Sequence, residues 1–134
     1  MKKQLLLKRN EFVSAASLLF LSILPSVGSA HAGLISSEPG RRAVLNMPPK
    51  QIRLCFNENI EPDFSKVVLE DVAGKTLVLA SPIRDASKAS CLVVPLPHLA
   101  NGGYWVKYKV LSVDGHVVEY GYQFQIKAAG AVND

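Results

Sequence analysis

The sequence predicts an all-β domain: a small antiparallel two-sheet sandwich, immunoglobulin-like in size, with about seven strands, preceded by an export leader. Three observations carry that expectation. Apolar and polar residues alternate in several short runs, Gly, Pro, Asn and Asp turn signals separate the runs, and the body shows no convincing amphipathic helix. A chain that pairs strands but lays no helix on them buries its apolar faces sheet against sheet.

The first element is the leader. Lys2, Lys3, Lys8 and Arg9 precede an apolar stretch from about Phe12 to Leu24, closed by Pro25, the pattern of a secretory signal peptide. Ser14, Ser17 and Ser22 interrupt the stretch, which also falls short of the ~20 apolar residues that a membrane anchor needs. Small residues satisfy a signal peptidase at two places, after Ala30 in Gly28-Ser29-Ala30 and after Ala32 in Ala30-His31-Ala32. The first cut leaves His31 as the new N-terminus; the second discards it. The expected organisation is a leader over 1–30, a sandwich over 31–127 and a frayed tail over 128–134, with an exported product that does not insert into a membrane.

Cleavage after Ala30 leaves 104 residues, enough for one core without obligatory staples. The formal net charge of +4 belongs largely to the leader. Of 15 Lys/Arg and 11 Asp/Glu, residues 1–30 hold four and one, leaving 11 basic against 10 acidic. That near-neutral balance gives little support to a nucleic-acid or anionic-membrane partner.

The strands follow in order. Residues 51–56 put Ile52, Leu54 and Phe56 on one face and Arg53 and Cys55 on the other. Residues 66–70 and 75–79 flank Asp71-Val72-Ala73-Gly74, a hairpin with its turn residues in place. Residues 91–96 make another strand before Pro97, and Asn101-Gly102-Gly103 turns the chain into a run whose Tyr104, Val106, Tyr108 and Val110 oppose Lys107 and Lys109. In the last strand Tyr120, Tyr122, Phe124 and Ile126 alternate with Glu119, Gly121, Gln123 and Gln125, so those four are expected to face the core. Cys55 and Cys91 both lie in the exported part, where an oxidising compartment permits a disulfide between them; the other reading is two small buried hydrophobes.

The chemistry-bearing residues cluster at the two ends of the exported chain. A histidine at a free N-terminus, such as His31, offers its α-amine and ring Nδ1 as a chelate for a divalent metal, and a second His, in Asp114-Gly115-His116, is a candidate to complete the site. On extended backbone Asp114 and His116, two apart, would point the same way. Taken alone, Asp-Gly between two strand patterns is most simply a turn, and His98, between Pro97 and Leu99, reads as a loop residue.

His31-Ala32-Gly33-Leu34, Ser37-Glu38-Pro39, 52–58 (IRLCFNE), Pro95-Leu96-Pro97, Gly103-Tyr104 and Ser112-Val113-Asp114-Gly115-His116, in that order, resemble the CopC family of periplasmic copper-resistance and copper-binding proteins. The likeness spans essentially the whole mature chain. It implies a Greek-key β-sandwich and a Cu(II) site in which His31 binds through its amine and imidazole beside Asp114 and His116. It also implies a role in copper homeostasis, a periplasmic location and a CopD-like inner-membrane copper-transport partner. Glu58 matches an acidic residue that some members place near the metal, a candidate weaker or outer ligand.

Other members add a Cu(I) site built from a Met-rich loop. Here the mature chain holds only Met47, and Cu(I) needs soft thioether ligands, so that site is expected to be absent and the Cu(II) site single. The resemblance implies a binding protein, a monomer or a metal-linked dimer, rather than an enzyme. Two other readings compete. A histidine-brace copper oxygenase would also use His31, but Asp114 would block the equatorial position that oxygen chemistry wants open. An interaction module without essential metal binding would follow from cleavage after Ala32.

Overall fold

The computed structural model describes residues 32–130, and within them the chain forms nine strands and no helix. In chain order they are β1 (Leu34–Glu38), β2 (Val44–Leu45), β3 (Gln51–Phe56), β4 (Ile60–Asp71), β5 (Thr76–Leu77), β6 (Ile83–Asp85), β7 (Lys88–Pro95), β8 (Gly102–Ser112) and β9 (Val117–Ile126). One sheet runs β1-β3-β7-β6 and the other β2-β9-β8-β4-β5. The pairings of β3 with β7 and β4 with β8, distant in sequence, are the crossovers of a Greek key. All ladders are antiparallel except β2 on β9.

The period-two pattern explains the core. Ile52, Leu54 and Phe56 of β3 and Leu92 and Val94 of β7 face Val67, Leu69, Val106, Tyr108, Val110, Tyr122 and Phe124 of the other sheet, all of them buried. Each such side chain contributes on the order of 1.5–3 kcal/mol by leaving water. The Phe56 and Tyr108 rings meet edge to face at 5.6 Å and join the two layers, while Tyr104 and Phe124, cross-strand partners within one sheet, stack at 5.5 Å. Cys55 and Cys91 are direct cross-strand partners on β3 and β7 and are joined by a disulfide. It closes a loop with a sequence separation of 36, which stabilises by about 2–5 kcal/mol through the unfolded state.

The architecture differs from the sequence expectation in three places. β1, β2 and β6 are short edge or near-edge strands with few inward side chains, so they carry no clear alternation. β4 begins at Ile60 rather than near residue 66, because an irregularity between Glu61 and Lys66 breaks its period of two and leaves Phe64 exposed. Tyr120 was expected in the core but is 68% exposed. It has inward parity as the partner of Tyr108, yet it lines a groove along β9, and parity fixes direction without guaranteeing burial.

Candidate metal centre

β8 ends at Ser112 and β9 starts at Val117, so Asp114 and His116 sit in the connecting turn rather than on extended backbone. The Gly115 N–H donates to the Ser112 carbonyl at 2.9 Å, and the Ser112 N–H donates to the His116 carbonyl at 2.9 Å. Gly115 takes a φ of 91°, which side-chain-bearing residues rarely adopt, and that reversal brings residues 114 and 116 together. The two side chains therefore meet because of a glycine-dependent turn, not because of strand parity.

The carboxylate of Asp114 divides its oxygens between two tasks. Oδ1 accepts from the Ser112 hydroxyl and from the His116 N–H at 3.2 Å, while Oδ2 lies 2.9 Å from His116 Nδ1. The Ser112 hydroxyl, and next the His116 ring, hold the Asp114 carboxyl at about 2, well below the usual range, so it is ionised at neutral pH. With Nδ1 donating to Asp114, a neutral imidazole carries its lone pair on Nε2, the arrangement of a carboxylate-oriented metal ligand.

Ser112 had no assigned role in the sequence reading, although it is only 1% exposed and braces the turn from beneath. A Ser two residues before a turn Asp was the available signal, since such hydroxyls bond locally to backbone and side chain. Asn57 was missed likewise. Its N–H donates to the Gly33 carbonyl at 3.0 Å, and its Oδ1 accepts from the Gly33 N–H at 2.7 Å. This double clamp, with Ala32 fully buried, fixes where the chain enters the sandwich.

The remaining candidates are placed by the same loop. The Val113 N–H donates to the Asn59 carbonyl at 3.0 Å, so the segment 57–59 ties the chain entry at Gly33 to the Asp114–His116 turn. Between them lies Glu58, whose Oε2 is buried without a hydrogen-bond partner. A buried carboxylate oxygen of this kind is open to a cation or a hydrogen-bond donor. His31 lies outside the described residues. Among those residues, no three His, Cys, Asp or Glu side chains come together as a metal cage; Asp114 and His116 form a pair of candidate donors. Cys55 and Cys91 are bonded to each other and offer no thiolate. Met47 is exposed beside Pro48 and Pro49, and His98 lines a separate shallow groove with those prolines.

Residues 34–127 match the family model described as the CopC domain. The chain belongs to the CopC family. It shares 31% identity over 105 residues with copper resistance protein C of Escherichia coli, an alignment covering 73% of this chain and 82% of that one. It is 29% identical over 113 residues to the copper transport protein CutJ of Bacillus subtilis, spanning 84% of this chain but 21% of CutJ. The crystal structure of CopC from Methylosinus trichosporium OB3b superposes with a TM-score of 0.71 at 33% identity, covering 76% of this chain and 99% of that one. Among the described residues no helix is long and apolar enough to cross a membrane.

Proposed function

We propose that this CopC-family chain is a periplasmic Cu(II)-binding protein of copper tolerance or uptake. The single site is formed by the α-amine and imidazole of an N-terminal His31 together with Asp114 and His116. The observation that carries this reading is the convergence at one end of the sandwich. Gly33 is clamped to Asn57, Asn59 is bonded to Val113, and the Asp114–His116 pair follows in the same turn. Ala32, the first described residue, is fully buried at this end of the sandwich. Glu58 is an outer partner for the bound ion through its buried oxygen.

Cleavage of a signal peptide after Ala30 generates the amine ligand, and the domain then buffers or carries copper rather than transforming a substrate. The partner is a CopD-like inner-membrane copper-transport protein. In its favour, a segment like this chain makes up 21% of CutJ, so the same domain type occurs within a longer copper transport protein. Binding weakens as pH falls, because the amine and the imidazoles ligate only when deprotonated.

Intact-mass measurement of the exported protein followed by Cu(II) titration with paramagnetic resonance tests the reading. The expected result is an N-terminus at His31 and one equivalent of a tetragonal, nitrogen-rich Cu(II) signal. A mature chain starting at Gly33, or no stoichiometric signal from a chain starting at His31, overturns it.

A further inference from the structure

The outer edge of β9 is only partly covered. β2 pairs with it at Gln125 and Ile126, and the Arg42 N–H donates to the Gln123 carbonyl at 2.7 Å. The main-chain groups used on this edge belong to residues 123, 125 and 127. Strand alternation therefore turns those of Val117, Glu119 and Gly121 to the same side. Among the described residues no strand pairs with them there.

A groove follows this open edge, lined by Arg41, Arg42, Trp105, Tyr120, Gly121 and Gln123, with Tyr122 completing it. Its lining has two arginines and no acid. One Arg41 nitrogen donates to the Leu34 carbonyl at 3.0 Å, and neither guanidinium has a carboxylate partner among the described residues. Trp105 is 41% exposed and Tyr120 is 68% exposed, so two aromatic surfaces flank main chain that Gly121 leaves without a side chain.

Arg42 itself has a φ of 59°, a left-handed conformation that costs an L-residue of this kind and tends to persist where function requires a placement. The strained residue anchors the 40–43 turn to Gln123 and presents its charge at the mouth of the groove.

We propose that this edge is a docking site for an extended, acidic peptide segment of a partner protein, which adds a strand beside Val117–Gly121 and sets its carboxylates against Arg41 and Arg42. The open main-chain edge selects a peptide in β conformation. The unpaired arginines select its charge, and Trp105 and Tyr120 supply the anchoring surface. The groove with its arginines follows β9 away from His116, which directly precedes Val117, and the test is run without metal.

The test uses the exported chain and two fluorescent eight-residue peptides of alternating pattern, one carrying Asp and the other Lys at the polar positions, with the apolar positions identical. The Asp peptide is expected to bind, with slowed hydrogen exchange at the amides of Val117, Glu119 and Gly121, and added salt weakens it. The double variant R41E/R42E, exposed positions that leave the core untouched, is expected to lose at least tenfold in affinity for the Asp peptide and to gain for the Lys peptide. Equal binding of the two peptides, protection at other amides, or no binding at millimolar peptide overturns the proposal. So does protection of the same three amides by the protein alone as its concentration rises, which assigns the edge to a second copy of this chain.

Discussion

The turn that closes β4 onto β5 and the turn that joins β8 to β9 each hang on an aspartate and a left-handed glycine. In the first, Asp71 Oδ1 accepts from the Ala73 and Lys75 N–H groups, both at 2.9 Å, and Gly74 has a φ of 79°. In the second, Asp114 Oδ1 accepts from Ser112 and His116, and Gly115 has a φ of 91°. Up to that point the chemistry is the same: an acidic side chain satisfies backbone donors that a reversal would leave exposed. What differs is the neighbourhood. Asp114 has a buried serine beneath it and an imidazole 2.9 Å from its second oxygen, and its turn is tied through Asn59 to the loop holding Glu58. An aspartate turn becomes a candidate metal centre only when one oxygen holds the turn and the other is aimed at a second donor.

Removing the second donor should separate the two turns most sharply. His116→Ala is expected to lower Cu(II) affinity by roughly a hundredfold or more, while Asp71→Ala leaves it unchanged and costs about 1 kcal/mol of stability through its lost hydrogen bonds. Competition titration and urea denaturation of both variants read these effects. Equal copper affinity in the two would erase the distinction drawn here.

The glycines make a matched pair for the next test. Gly74→Ala and Gly115→Ala each force a left-handed conformation on an L-residue, expected to cost about 1–2 kcal/mol in thermal or denaturant unfolding. Open space surrounds the missing Cβ at both positions, so the cost is conformational rather than steric crowding. Copper binding should weaken in the Gly115 variant alone.

The subtlest test concerns the brace beneath the site. Ser112→Ala removes the largest cause of the low Asp114 value, so that carboxyl should titrate nearer the ordinary range of about 3.9 and copper affinity fall about tenfold. Because the folded value lies below the unfolded one, Asp114 contributes to stability fully above about pH 3.9. In the parent that contribution fades as pH falls through about 2. In the variant it should fade at higher pH. A side-chain NMR titration of Asp114 in both proteins decides the point; an unchanged midpoint would remove Ser112 from the account.

Much of the fold was legible because period-two alternation is a local signal. β3, β8 and most of β9 could be read directly, since their alternate residues must enter a core. β1 and β2 could not, because an edge strand with one or two inward residues leaves almost no pattern. The candidate donors Asp114 and His116 were legible as residue types, whereas Ser112 and Asn57 were not, since their roles depend on who lies across the turn or at the far end of the chain. Tyr120 shows the converse error: local parity pointed it inward, and its place in the groove along β9 left it exposed.

Composition and short-range spacing were enough for the all-β class, the near-neutral charge of residues 31–134, the cysteine pair and the order of the candidate donors. The tertiary structure decided that β3 and β7 bring Cys55 against Cys91, that Gly33 and Val113 are fastened to the same loop, and that β9 keeps an open, arginine-flanked edge. Those are relations between segments tens of residues apart. They exist only when two sheets close on a shared core, and no local pattern encodes which strands will be neighbours.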